Sequence, residues 1–504
     1  MAQQDEIPKP EPMKKWERRR RWRIPIVVIL TAVLIAVGVR VLEPVIPCGS
    51  VNPYADLRDV AGECVGVTDG SYEFDPEFRN IQEAIKAEND WVTERHETRG
   101  TPAVKIALLS TLTTTDTSPL NQDQVRHGLE GAYVAQHRAN RTHELGDPQR
   151  LIQLMLANEG STQLGWEVAV DELVDMTDDD IPLAVVMGQG ISTTRTTDAA
   201  RKLSAAGIPM VTGTTMADGL DSAHIPGLIR AAPSNTDAAT AIRHYLDNQQ
   251  KLKRGILVYD SETSDTFSTT LRAAFEAQLA DYMASSKQPF PGGSFVHGGP
   301  RVFDQITQNI CLARTDMVFF AGRAPDFDVF LESLAERPCR DDRFITAVFV
   351  DLGPNPRGTK GISHLLRIGN MAVLHATGYD PGWPRGEVEA PEGFKRFHSH
   401  FSSLVGGVPE ALDDGYAVTN HDAMIAAIRA VRITNTWTNT APSPTDVREH
   451  LLLLNGQEAV PGATGKLEFN ENRGGNPGGK HVPIVRLPDS NDPEPAEPYI
   501  TPTT

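Results

Sequence analysis

Two groups of short hydroxyl side chains stand out among the residues that could do chemistry. Ser192, Thr193 and Thr194 follow an apolar run ending at Met187. Thr212, Thr214 and Thr215 surround Gly213 just after the next apolar run. Side chains of this type hydrogen-bond a polar ligand or cap a helix, and both readings stay open at this point. Motifs for bond-breaking chemistry are missing: the chain contains neither G-x-S-x-G nor H-E-x-x-H. GGNPGGKH, Gly474 to His481, comes near a phosphate-binding loop, but His481 replaces the hydroxyl that holds Mg²⁺ and Pro483 disfavours the helix that must follow. His398 and His400 have the spacing of metal ligands with no third ligand group nearby in the sequence, so they read as a solvated segment. GQGIST lacks the third glycine of a dinucleotide fingerprint. The expectation is a protein that is not an enzyme and needs no cofactor or metal.

The elements that must hold these residues alternate regularly. Strands are expected at Val104–Leu109, Leu151–Leu156, Leu183–Met187 and Met210–Thr212, with helices over Gln122–Asn140, Gln163–Asp175 and Thr196–Ala206. After Pro233 the rhythm restarts. A helix over Asp237–Asn248 precedes a strand at Gly255–Tyr259 and a helix at Thr266–Tyr282; strands at Met317–Phe320 and Phe344–Val350 flank a helix at Asp326–Glu336. Continuous apolar strands between helices predict parallel sheets covered on both faces. Two such series predict an α/β protein of two doubly wound parallel-sheet lobes.

Ahead of the lobes the chain has a different character. From Ile24 to Leu42 the only charge is Arg40, and the length roughly matches a bilayer core of ~30 Å. Lys14, Lys15, Arg18 to Arg21 and Arg23 precede it, so residues 1–23 are expected in the cytoplasm, 24–42 as a single transmembrane helix, and the rest outside the cell. A cleaved signal peptide would need small residues where Arg40, Val41, Leu42 and Glu43 stand, and a lipoprotein would need them before Cys48. Residues 43–100 read as a stalk followed by an amphipathic helix, with Asp75 and Pro76 opening it and Phe78, Ile81, Ile85 and Val92 on one face. The Pro-rich acidic segment 488–504 reads as disordered. A net charge of -18 argues against nucleic acid as a partner. Four cysteines in an oxidising compartment suggest two disulfides; sequence neighbours, Cys48 with Cys64 and Cys311 with Cys339, are the simplest pairing, against the alternative of four reduced buried thiols.

Several stretches, taken in order, resemble the type I periplasmic-binding-protein superfamily in its leucine- and amide-binding branch. VKIALLSTLTTTDTSPL with GLEGAYVAQHRAN resembles the first strand, ligand loop and helix; VMGQGISTTRTTDAARKLSAAGIPMVTGTTMADGL resembles the next turn and loop. IRAAPSNTDAATAIRHYLDNQQKLKRGILVYD resembles the crossover into the second lobe, and GYAVTNHDAMIAAIRAV with GATGKLEFNENRGG the late helix and terminal hairpin. The resemblance implies one lobe from 103–232 plus 353–433 and a second from 233–352 plus 434–487. It also implies a ligand cleft at the carboxyl ends of the strands, with Ser192, Thr193, Thr212, Thr214 and Thr215 on the first lobe. On the second, Ser264 and Asp265 stand where the family often has a Tyr-Gly pair, Arg323 where a tyrosine is frequent, and Asp351 near the usual acidic position. Met216 replaces a common Thr or Ser. These departures count against a standard branched-chain amino acid. Arg323, if it faces the cleft, would suit a second negative charge on the ligand; otherwise it is a surface residue. The implied function is a membrane-tethered solute-binding protein that captures a small polar ligand, amino acid or amide-like, for an ABC permease. The alternatives are a sensor that reports ligand to a signalling partner or by dimerisation, and a clamp used only as an assembly surface.

Overall fold

The computed structural model describes Cys48 and residues 57–503, apart from 116–117, 147–149, 250–251, 294–298, 354–358, 408, 435–440 and 489–497. The expected stub, 1–23, and span, 24–42, lie outside the described residues. Among the described residues no helix is long and apolar enough to cross a membrane.

The first sheet is built from residues 58–230. A short hairpin, β1 (Arg58–Val60) and β2 (Glu63–Thr68), leads into helix α1 (Arg79–Arg99). Then β3 (Ala103–Ser110), α2 (Gln122–Arg141), β4 (Leu151–Asn158), α3 (Trp166–Asp175), β5 (Leu183–Gly188), α4 (Thr194–Ala205), β6 (Met210–Thr212) and β7 (Leu228–Arg230) follow. The strand order is β1-β2-β4-β3-β5-β6-β7, parallel from β4 to β7 with the hairpin added antiparallel. Every residue of β4 and β5 is buried, which is the burial that helices on both faces require.

The second sheet repeats the plan. Its elements are α5 (Asn235–Asp247), β8 (Gly255–Asp260), α6 (Thr266–Gln278), β9 (Gln288–Phe290), α7 (Asp304–Ala313), β10 (Met317–Ala321), α8 (Ala324–Ala335), β11 (Ile345–Val350), α9 (Thr359–Ile368) and β12 (Met371–Ala376). The remaining elements are α10 (Glu392–Phe401), α11 (Tyr416–Ile433), α12 (Pro444–His450), the hairpin β13 (Val460–Gly462) and β14 (Gly465–Leu467), β15 (His481–Val482), β16 (Ile484–Leu487) and β17 (Tyr499–Ile500). The sheet order is β16-β12-β11-β10-β8-β9, parallel except for β16. In each sheet the first parallel strand has its successor on one side and the next strand on the other. The order therefore reverses between β3 and β5 and again between β8 and β10, and such switch points open a crevice at the strand ends.

Four sequence boundaries are corrected. The hairpin β1–β2, expected in the stalk, extends the first sheet, because Val65 and Val67 are buried and the Glu63 carboxylate accepts from Ser161 and Thr113. Strand β12, expected in the first lobe, pairs residue for residue with β11; its six buried residues continue the second sheet. The segment 434–487 is not all second lobe. Val447 on α12 and the β13–β14 hairpin pack with α11 and the first sheet, and β16 alone joins the second. Finally, the far end of the tail is ordered: β17 pairs with β15, and the buried Thr501 donates to the Pro477 carbonyl and accepts from Lys480 N–H.

Cys311 and Cys339 are joined by a disulfide. Cys48 and Cys64 are likewise disulfide-bonded cysteines, and no cysteine is free.

Candidate functional site: the cleft between the switch points

The hydroxyls of the first lobe are placed at the strand ends and are largely engaged within the protein. Thr193 is the N-cap of α4, with a reciprocal capping box to Thr196, and its own hydroxyl donates to Gln163 Oε1. Gln163 Nε2 in turn donates to Glu159 Oε1 at 2.9 Å. Thr212 and Thr215 bond each other through their hydroxyls. Thr214 Oγ1 donates to the Gly190 carbonyl at 2.6 Å, fixing the loop after β5. Ser192 Oγ accepts from Ala217 N–H at 3.3 Å, so its own hydrogen is left for another acceptor.

The second-lobe residues meet Ser192 directly. Arg323, just beyond β10, donates from Nε and Nη2 to the two oxygens of Asp265 at 2.7 and 2.8 Å. Its Nη2 also donates to the Ser192 carbonyl at 2.9 Å, and its guanidinium lies 4.7 Å from the centre of the Phe267 ring. Two backbone bonds run alongside, Thr194 N–H to the Ser264 carbonyl at 3.2 Å and Phe267 N–H to the Ser192 carbonyl at 3.3 Å. The two lobes are thus shut against each other where the two switch points face. Asp265 also caps α6 through Phe267 and Ser268 N–H. Ser192, Thr194, Ser264, Asp265 and Arg323 come together. Thr212 and Thr215 remain a separate buried pair, and Thr193 and Thr214 act on the loops beneath.

Charge in the cleft is balanced internally. Burial opposes the Arg323 charge, but the Asp265 carboxylate outweighs it and holds the guanidinium above its ordinary value. Arg323 faces the cleft and not open solvent, yet its charge is already matched, so it does not call for a second negative charge on a ligand. Asp351, at the end of β11, is pushed up to about 6 by withdrawal from water, against the opposing bond from Leu352 N–H and the nearby Arg323. Beside it, burial raises the Tyr416 hydroxyl well above its ordinary value.

Outside the cleft the other motifs have structural roles. Lys480 of the GGNPGGKH segment is 0% exposed and donates to Thr464 Oγ1 at 2.7 Å. His400 bonds Glu144, and His398 packs against the Phe394 ring. Among the described residues no group of three His, Cys, Asp or Glu side chains could hold a metal ion.

Sequence reasoning passed over two residues at the floor of the first lobe. Glu159, following β4, is fully buried and its carboxyl is pushed up to about 7 by that burial, with the Gln163 bond opposing. Gln189, between Gly188 and Gly190, is buried, and its side-chain amide has no hydrogen-bond partner among the described residues. The one sequence signal for it was a polar residue between two glycines at the end of an apolar strand.

Two doubly wound lobes joined in this way define the type I periplasmic-binding-protein fold. No protein-family model matches the chain, and no curated protein matches it in sequence. Solved structures with this fold do. An ABC transporter substrate-binding protein from Desulfitobacterium hafniense, in complex with Leu, is 17% identical with a TM-score of 0.56, over 77% of this chain and 98% of that one. A branched-chain amino acid ABC transporter protein from Thermus thermophilus with bound valine is 14% identical, TM-score 0.55, over 79% and 97%. A solute-binding protein from R. palustris in complex with 4-hydroxybenzoate is 14% identical, TM-score 0.56, over 80% and 98%.

Proposed function

We propose that this chain is a solute-binding protein whose two lobes close on a small polar ligand and deliver it to an ABC permease. The observation that carries the reading is the meeting of the two switch points at Ser192 and Arg323, the place where folds of this kind offer a ligand crevice. Similar structures hold leucine, valine and 4-hydroxybenzoate, which supports a solute as the partner in place of a reaction substrate. In this reading residues 24–42 tether the chain to the cell membrane with the lobes outside and the N-terminus in the cytoplasm. Protease accessibility of the lobes on intact cells tests the tether.

Thermal unfolding of the full chain against leucine, valine, 4-hydroxybenzoate and small amides tests the binding. A solute at 100 times its Kd stabilises the folded form by about 2.7 kcal/mol. A cooperative transition that none of these solutes moves would reject the reading.

A further inference from the structure

We propose that Gln189 is the ligand-recognising group of the first lobe, and that it selects an uncharged solute carrying a carboxamide or a like donor–acceptor pair. This rests on the solute-binding reading above. Gln189 is 1% exposed, and among the described residues neither its Nε2 nor its Oε1 has a hydrogen-bond partner. A buried polar atom left without a partner is destabilising, and here one side chain carries two. The backbone adds a second cost. Gly188, Gln189 and Gly190 have φ of 90°, 61° and 55°, three left-handed residues in succession, of which only the middle one has a side chain. Glycine at 189 would remove both costs, so the side chain must repay them elsewhere.

Its position says where. Gly188 is the register partner of Leu109, and Gly190 N–H donates to the Leu109 carbonyl at 3.1 Å, so Gln189 sits at the β3/β5 switch point. Thr111, next along from β3, is also fully buried, and its hydroxyl has no partner among the described residues. The loop is held by Thr214 from one side. A side-chain amide offers an N–H donor and a carbonyl acceptor in one plane, and another amide matches both at once.

Charge matching favours a neutral ligand. On the facing lobe Arg323 and Asp265 satisfy each other and offer no spare counter-charge, while the Asp351 carboxyl accepts from Leu352 N–H and is shifted towards its neutral form by burial. Glu159, beside this loop, is bonded to Gln163 and shifted towards its neutral form by burial.

The test uses three molecules with one branched four-carbon skeleton, isobutyramide, isobutyrate and isobutylamine, with thermal unfolding of the full chain as readout. The amide is expected to raise the transition of the wild type, and its two charged counterparts to leave it unchanged. Gln189→Leu is expected to melt at a higher temperature than wild type without ligand and to bind the amide at least tenfold more weakly. Gln189→Met, equally apolar and of similar length, repeats the measurement should leucine not fit. Equal amide affinity in the wild type and both variants would overturn the proposal. So would a shift with isobutyrate or isobutylamine and none with isobutyramide. Binding of leucine or 4-hydroxybenzoate without any amide response overturns the Gln189 assignment and leaves the solute-binding reading standing; silence from every solute removes both.

Discussion

Arg323 and Asp265 form a two-point ion pair, 2.7 and 2.8 Å, and the same guanidinium reaches across to the Ser192 carbonyl at 2.9 Å. The pair therefore does two jobs, balancing charge in the second lobe and latching it to the first. Asp265→Asn keeps an N-cap for α6 but removes one charge from the pair. The variant is expected to lose about 2 kcal/mol, less than a fully buried pair would, because both side chains retain some solvent contact. Its scattering radius should grow as the lobes part. Adding Arg323→Ala should restore part of the loss, since neither charge is then unpaired. Purely additive effects in this double-mutant cycle would rule the latch out.

Glu159 should make stability depend on pH in a definite direction. Its folded value, about 7, lies above the ordinary 4.5 because burial disfavours the charged form. Between those values the folded state holds more proton than the unfolded one, so stability declines as pH rises from about 4.5 to 7. Glu159→Gln preserves the oxygen that accepts from Gln163 and abolishes the titration. Wild type should lose on the order of 3 kcal/mol relative to this variant between acid and mildly alkaline pH. Stability curves of the two proteins that stay parallel across the window would exclude the assignment.

The alternation of apolar runs and helical stretches made both lobes readable in advance, since continuous burial in strands such as β4 and β5 is a local property of the sequence. The strand β12 was not readable. It is six residues long, includes the buried His375, and is recognisable only through its pairing with β11. The hairpin β1–β2 escaped for the same reason, being held by Glu63 to Ser161 across 98 residues. At the site, hydroxyls near strand ends could be located but not their partners. That Arg323 would be neutralised by Asp265, 58 residues away, is a fact of tertiary structure. Gln189 was hidden by its motif: GQGIST fails as a dinucleotide fingerprint, which says nothing about the glutamine between its glycines.

Gly131 in the middle of α2 is expected to refuse alanine. In an exposed helix the change would gain up to about 1 kcal/mol from propensity. Here α2 packs on α11 so closely that a Cβ on Gly131 would fall within the Ala417 carbonyl. Backbone has no rotamer to escape into, and overpacking of this kind typically costs 1–3 kcal/mol. Gly131→Ala should therefore lower the denaturant midpoint, and a midpoint at or above wild type would contradict the contact.

The Cys311–Cys339 bond spans 28 positions between the end of α7 and the turn after α8. A loop of that size corresponds to about 3.5 kcal/mol of unfolded-state entropy in the chain model. Replacing both cysteines with serine should lower the unfolding free energy by roughly that amount. Variants are preferable to a reducing agent, which would also open the bonds of Cys48 and Cys64. An unchanged unfolding free energy would show that the bridge does not constrain the chain.

Lys480 and Asp422 should respond unequally to removal, although both are buried. Asp422 accepts from Ala463 N–H at 2.6 Å, Thr464 N–H at 2.9 Å and the Thr464 hydroxyl at 2.6 Å, binding the β13–β14 turn to α11. Asp422→Asn turns an NH₂ toward some of these donors and leaves Lys480 without its counter-charge, an expected loss of about 3–5 kcal/mol. Lys480→Met leaves the Asp422 bonds to the turn in place and should cost about 1 kcal/mol or less. The lysine's value, lowered to about 8 by burial against the pull of Asp422, adds a pH signature. From pH 8 towards 10.5 the unfolded state binds more proton than the folded state, so wild type gains stability relative to Lys480→Met as pH rises through that window. Equal losses in the two variants, or a pH trend of the opposite sign, would overturn this division of roles between the aspartate and the lysine.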